Sequence, residues 1–283
     1  MSQRKLEDIM AEVRSFPSIP GAAVKLLTVL DNPDTPASKI EETLRYDPGL
    51  TANVLKLTNS AYFGFPAKIG SVRQAVTLIG TKRLIQIVML SCVSAVMDKP
   101  VPGYDLPPGE LWRHSIAVSV AAEGLVKEQS IPAADEIFTA ALLHDVGKLI
   151  LGGFLKEDIK KIELAASRGM SFEMAEHSVF ETNHAEIGAL ILKNWSFPLK
   201  IVNAVRWHHA PDAAGKTNPV LDLVHVADVL SLMIGIGVGK EGLQYEPSMA
   251  ATRRLGLKPC HLEKVASQTL ERINEISDVF GSK

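Results

Sequence analysis

Cysteine is nearly absent from this chain of 283 residues: only Cys92 and Cys260 occur, far apart and outside any CxxC spacing. That excludes a disulfide framework and a thiolate zinc site, and it fits a reducing cytoplasm. An excess of one charge is also missing, since 30 Lys and Arg face 32 Asp and Glu for a formal net charge of −2. No global field would draw such a chain to DNA or to an acidic membrane surface, so any phosphate binding must be local. The opening MSQRKLEDIMAEVRSF is too charged for a secretory signal, and no apolar run reaches the roughly 18 residues that would span a bilayer. The expectation is a cytoplasmic protein with no membrane and no DNA partner. Alternating apolar and polar residues and internal repeats are missing too, which argues against strands and solenoids.

What is present is helical punctuation from end to end. Pro20 opens AVKLLTVL, Thr35-Pro36 opens SKIEETLRY and Asp47-Pro48 opens LTANVLKLTNSAYF, each a helix-start signal. Ser71 precedes VRQAVTLI, Gly80 stops it, and Thr81 starts KRLIQIVMLSCVSAVM. The stretch Asp98 to Gly109 holds four prolines and two glycines in twelve residues and marks a boundary between halves 1–105 and 106–283. The second half continues with ELWRHSIAVSVAAEGLVKEQ, PAADEIFTAALLHDVGKLIL, KEDIKKIELAASR, FEMAEHSVFE, HAEIGALILKNW, PLKIVNAVRWHH and NPVLDLVHVADVLSLMIG, and it closes with an amphipathic helix from His261 to Phe280. The fold class is all-α. With 46% hydrophobic residues, the chain can bury about three quarters of its unfolded surface, enough for one large domain or two modest ones. Gly235, Gly237, Gly239 and Gly242 follow no strand, so they read as a flexible helix-ending loop and not as a phosphate cradle.

Five of the eight histidines lie in apolar helical sequence, as His114, His144, His184, His208 and His209, and Asp145 and Asp228 lie there with them. Helical periodicity puts His184 with Ile187, Gly188 and Ile191, His208 with Ile201, Ala204 and Val205, and Asp228 with Leu221, Val224 and Leu232. All three point to a core. Ionised carboxylates are costly there unless paired or bound to metal, and residues 217–239 carry no Lys or Arg to pair with Asp228. His144 and Asp145 can grip one ion together, Glu110 stands one turn before His114 as a further ligand, and Gly147 leaves room for close approach. Lys148, three residues after Asp145, is placed to meet a substrate phosphate. His225 lies one turn before Asp228 and could orient a ligand from outside. His177, set between Glu176 and Glu181 on a polar surface, and His261 at a helix start read as ordinary.

HDVGK at 144–148, with WRHS at 112–115, NHAEIG at 183–188, WHH at 207–209 and VADVLS at 226–231, resembles the HD superfamily of metal-dependent phosphohydrolases, with the extra histidines of its HD-GYP phosphodiesterases. The first half is similar to the HDOD domain, the HD-related output domain of bacterial signalling proteins, through SIPGAAVKLLTVL, DPGLTANVLKLTNSAYFG and IGSVRQAVTLIGTKRL. The resemblance implies a helical N-terminal part joined to an HD-like core and a role in signal transduction. It also implies a site of two or three divalent transition-metal ions, Fe or Mn by preference and Mg, Ni or Zn admissible. Glu110, His114, His144, Asp145, His184, His208, His209 and Asp228 match the metal positions, and Asp145 and Lys148 the catalytic ones. Asp145 would bridge, His114, His144 and Asp228 would complete one sphere, and His184, His208 and His209 the other. The chain departs from both groups: many HDOD domains have lost these ligands whereas this one keeps the full set, and after His208-His209 it reads APDAAGKTNP without a GYP signature, so cyclic di-GMP hydrolysis does not carry over. Phosphoester hydrolysis in an open cleft, a non-catalytic module with a structural metal, and a sensor of a phosphorylated small molecule or nucleotide all remain open. A signalling partner is expected on residues 14–97, around Asn59 to Phe65 and Lys68 to Gly80.

Overall fold

The computed structural model describes residues 2–17, 25, 36–45, 48–59, 65, 68–129, 131, 136–216, 218–242 and 244–280. The expected helix after Pro20, apart from Lys25, the caps Thr35 and Asp47, most of NSAYFG and residues 132–135 lie outside them. The described residues are helical, with one isolated bridge between Val101 and Leu106 and no strand. The all-α class is what the sequence indicated.

Two compact units are present, one of Met1–Pro17 with Met97–Glu271 and one of Ser18–Val96 with Arg272–Lys283. This is not the linear division at 105/106. Helix α1 (Ser2–Ser15) groups with the later helices because Ile9 and Val13, one turn apart, are both buried, and Lys5 pairs with Asp158.

In the smaller unit α2 (Ala37–Arg45) packs on α3 (Pro48–Thr58), with Ile40, Leu44, Leu50 and Val54 buried. Asn59 ties down the next segment: its side chain donates to the Leu55 carbonyl at 2.7 Å and the Ile69 carbonyl at 2.9 Å, and accepts from the Ile69 N–H at 2.7 Å. Helix α4 (Val72–Met97) is two helices joined at Gly80, which adopts φ 79° and ψ 162°. Only glycine takes that conformation readily, so the Gly80 stop and Thr81 restart read from sequence are a sharp kink.

The larger unit comprises α1, α5 (Glu110–Gln129), α6 (Ile137–Leu143), α7 (Lys148–Ala166), α8 (Phe172–Phe180), α9 (His184–Asn194), α10 (Leu199–Trp207), α11 (Pro219–Met233), α12 (Met249–Arg254) and the first part of α13 (Pro259–Phe280). Helix α5 packs on α6 and α11, and α9 on α10. Asn183 caps α9 by accepting from the Glu186 N–H, and Asn218 caps α11 by accepting from Val220 N–H, so both helices start where their ligand-bearing faces need them.

Three sequence expectations are corrected here. The periodicity runs unbroken through HDVGK, but residues 144–147 form a tight turn between α6 and α7, closed by Val146 N–H to the Leu143 carbonyl at 3.1 Å and Lys148 N–H to the Asp145 carbonyl at 3.0 Å. The proline-rich stretch is packed in the larger unit: Pro102–Tyr104 forms a 3-10 turn, Tyr104 is buried, and a Cβ on Gly103 would lie 2.4 Å from the Gly152 carbonyl oxygen. Two helical stretches, Val72–Ser94 and Ile137–Ala166, are long and apolar enough by composition to cross a membrane, although no such run was read from the sequence. The second is 83% buried within the protein and is broken by the turn that carries His144 and Asp145.

Candidate metal centre

Five elements of the larger unit deliver the ligand-type side chains to one place: α5 brings His114, the α6–α7 turn His144 and Asp145, α9 His184, the end of α10 His208 and His209, and α11 Asp228. Their donor atoms form overlapping groups, each within 4.8 Å: Asp145 with His184, His208 and His209; His114 and His144 with Asp145; and His144 and His208 with Asp228. Asp145 is shared between the two ends. Its Oδ2 lies 3.5 Å from His114 Nε2 and 3.3 Å from His144 Nε2, while its Oδ1 lies 3.5 Å from His184 Nε2 and 3.7 Å from His208 Nε2. Asp228 Oδ1 lies 3.1 Å from His114 Nε2 and 3.6 Å from His144 Nε2, and its Oδ2 is 3.8 Å from His209 Nδ1. Donors about 2.1 Å from one ion stand about 3 to 3.5 Å from each other, so these spacings fit shared ions.

The rings are aimed from behind. Nδ1–H donates to a backbone carbonyl in His114 (Ile236, 3.0 Å), His144 (Ala141, 2.7 Å) and His208 (Val205, 2.7 Å), and in His184 it donates to Glu176 Oε2 at 2.8 Å. This turns each Nε2 inward, the orientation that supports metal ligation once a bound ion displaces any proton there. Glu176 also accepts from the His184 backbone N–H at 2.9 Å and from the Tyr104 hydroxyl at 2.6 Å. His184 Nε2 and His209 Nε2 are 2.9 Å apart, and Tyr245 stacks on the His209 ring with centroids 4.4 Å apart. His225 supports His208 through its backbone, donating to the His208 carbonyl at 2.6 Å and accepting from the Ser248 N–H at 2.8 Å. Ser248 and Arg254 hold Asp212, and Arg254 grips Asp222 with two nitrogens at 2.8 and 2.6 Å.

Five donors are buried without a hydrogen-bond partner, His144 Nε2, Asp145 Oδ1, His208 Nε2, His209 Nδ1 and Asp228 Oδ2, while Asp145 Oδ2 meets the Lys148 ammonium. Buried polar atoms are rarely left so, and a convergent set of them fits bound cations. The charge pattern agrees. Burial opposes a charged His144, but Asp145 and Asp228 raise it to about 10, and Glu176 raises His184 against the same burial. Burial and repulsion from His144 push His208 down to about 3, and His209 is lowered by burial and by His208 and His184. Asp145 stays ionised despite burial because His144 and Lys148 hold its carboxyl well below the usual range. Protons on histidines therefore balance the carboxylates, and bound ions would replace them.

Two expected residues sit differently. The Glu110 carboxylate is outside the grouped donors, because it accepts from the Gly237 N–H at 3.0 Å and faces Arg113 at 3.5 Å. Lys148 is buried between carboxylates, 2.7 Å from Asp145 Oδ2 and 2.5 Å from Glu241 Oε1, and its charge is kept by both against burial. Glu176, read from sequence as surface, is wholly buried. Tyr104, Glu241 and Tyr245 carried no sequence signal. The glycine loop is packed: a Cβ on Gly237 would meet the His114 ring at 2.5 Å.

The sequence pattern of the HDOD domain family matches residues 16–211. An uncharacterized protein of Treponema pallidum is 26% identical over 226 residues, 78% of this chain, and this chain spans 43% of that relative's length. Among solved structures, an HDOD domain protein of unknown function from Geobacter sulfurreducens superposes with a TM-score of 0.72 at 23% identity, over 99% of this chain and 94% of that one. A candidate phosphohydrolase from Shewanella amazonensis SB2B gives 0.70 at 24% identity, over 94% and 97%. At these identities the structural likeness concerns the fold.

Proposed function

We propose, proceeding from the fact that this chain belongs to the HDOD family, that it is a cytoplasmic bacterial signal-transduction protein whose HD-type centre holds two or three divalent transition-metal ions and hydrolyses a phosphoester. The observation that carries this reading is the convergence of buried, partnerless imidazole and carboxylate atoms on the shared Asp145. Such an oxygen and imidazole set suits Fe or Mn, with Mg, Ni or Zn admissible. Bound ions would supply Lewis acidity toward phosphoryl oxygens and an acidified water. The protein would contribute the rest. Asp145 joins the two ends, His114, His144 and Asp228 hold one, and His184, His208 and His209 hold the other. Lys148 is the buried cation available to offset charge on a phosphate.

A second reading is favoured by one observation. The side chains of His114, His144, Asp145, Lys148, His208 and Asp228 are all buried, and Glu241 already faces Lys148. On that reading the metal is structural and the chain is a non-catalytic module or a sensor of phosphate or nucleotide. Recognition of a signalling partner by residues 14–97 belongs to both readings; no metal-type donor group occurs there among the described residues.

The test is elemental analysis of protein purified without chelators, followed by a panel of phosphodiesters and nucleotides. Two or three ions per chain with turnover of one substrate class is the expected result. Metal-loaded protein that turns over nothing selects the module, and absence of metal after growth in replete medium overturns both readings.

A further inference from the structure

We propose that Glu241 is an internal competitor for a phosphate-type anion: its carboxylate holds the place on Lys148 that a bound phosphate would take. The inference rests on the metal-dependent phosphoester reading and names how that site is regulated.

Lys148 Nζ has two anionic neighbours, Asp145 Oδ2 at 2.7 Å and Glu241 Oε1 at 2.5 Å. They differ in what fixes them. Asp145 sits in the rigid α6–α7 turn and is shared with four histidines, so ions bound there would draw it away from the lysine. Glu241 would then be the anion left on Lys148. A phosphate oxygen makes the same kind of charge-assisted contact with more charge, so the two compete for one ammonium.

Apart from the Lys148 ammonium, neither oxygen of Glu241 has a hydrogen-bond partner among the described residues, although the side chain is only 4% exposed. A carboxylate placed to brace the fold would be expected to cap backbone N–H groups; this one is held by its charge contact. The stretch that carries it is not helical and includes Gly235, Gly237, Gly239 and Gly242, all at positive φ. It is anchored by Lys240 N–H to the Tyr104 carbonyl at 2.8 Å, by the exposed Lys240–Glu163 pair at 2.9 Å and by the stacking of Tyr245 on His209. Glu241 thus covers Lys148 while Tyr245 covers His209. Neither residue lies in a helix, so displacing them would unwind none. If the covered state is favoured by a factor K, the apparent affinity for an outside anion falls by 1 + K.

Inorganic phosphate is the probe, titrated calorimetrically into manganese-loaded wild type, Glu241→Gln and Glu241→Ser, with metal content measured on each preparation. Both variants should keep their metal and bind phosphate at least about tenfold more tightly. In wild type, phosphate at saturation should speed hydrogen exchange at Lys240 to Gly242, a readout that needs no variant to fold. Unchanged phosphate affinity in the variants, or unchanged exchange in wild type on binding, overturns the proposal. Loss of metal in Glu241→Gln overturns it too, by making Glu241 a ligand. Wild type that holds no metal would defeat the parent reading instead, and the comparison of phosphate affinities would still decide whether Glu241 excludes the anion.

Discussion

Gly147 and His184 meet backbone to backbone: a Cβ on Gly147 would stand 2.0 Å from the His184 carbonyl oxygen and 2.6 Å from the Gly188 nitrogen. This close crossing brings the HDVG turn against α9 and leaves Asp145 Oδ1 3.5 Å from His184 Nε2. Gly147→Ala would force backbone apart, at a cost of about 3 kcal/mol or more. The expected outcome is a lower melting temperature together with weaker metal retention. Thermal unfolding with and without added manganese checks it, and a variant that matches wild type in both measurements refutes the packing account.

Asp145 is the residue common to both ends of the donor set, so Asp145→Ala should remove most of the bound metal. Metal that binds only the folded chain adds about 2.7 kcal/mol at a hundredfold excess over its dissociation constant. The variant should therefore lose stability in metal-replete buffer, and chelator should affect it far less than wild type. Equal chelator sensitivity would count against a metal role.

Lys148→Ala should keep most of the metal and lower any phosphoester turnover by about tenfold or more, whereas His208→Ala should lose metal and turnover together. The lysine variant also strands Glu241 as a buried carboxylate without its counter-ion, which is destabilising. Lys148→Ala with Glu241→Ala should then be more stable than Lys148→Ala alone. A double-mutant cycle on denaturant unfolding measures that coupling, and strict additivity would contradict the pairing.

Asp158 anchors α1, pairing with Lys5 and with Lys161 at 2.6 Å. Burial opposes its charge, but hydrogen bonds from Lys161 and Lys5 hold its carboxyl below the ordinary 3.8. A carboxylate with a lowered folded pKa stabilises fully above its unfolded pKa and loses that contribution as the pH falls through the folded value. Wild type should exceed Asp158→Asn by about 1 kcal/mol at pH 7, with the gap closing below about pH 4. Urea midpoints at several pH values test this, and a constant gap down to pH 2 would contradict it.

The proposal that residues 14–97 recognise a signalling partner can be tested at Leu78, which is 51% exposed on the helix that ends at the Gly80 kink. Leu78→Glu should weaken capture of the signalling partner at least about tenfold while leaving metal content unchanged. Capture at wild-type strength would move the recognition surface elsewhere.

The sequence was most legible where local chemistry is punctuated. Ser71, Gly80 and Thr81 gave the two halves of α4. The histidines were visible because imidazoles and carboxylates are conspicuous among Leu, Val and Ile. The turn within HDVG was hidden by apolar residues on both sides that keep a helical period. Prolines 100, 102, 107 and 108 stop helices whether the chain is exposed or packed, so burial of that stretch had no local sign. Glu110 had the right spacing to His114, but its carboxylate is taken by the N–H of Gly237, 127 residues away. Glu176 and Glu241 look like any surface glutamate until the fold encloses them.

His184 differs from its neighbours in the group behind its ring. Its Nδ1–H points at the buried carboxylate of Glu176, where those of His114, His144 and His208 point at neutral carbonyls. A carboxylate behind an imidazole makes the opposite nitrogen more electron-rich. The two halves of the ligand set are therefore unequal in donor strength although they share Asp145. One half gains an imidazole sharpened by Glu176 and the other a second carboxylate in Asp228, so ions would meet two chemically distinct places around one shared aspartate.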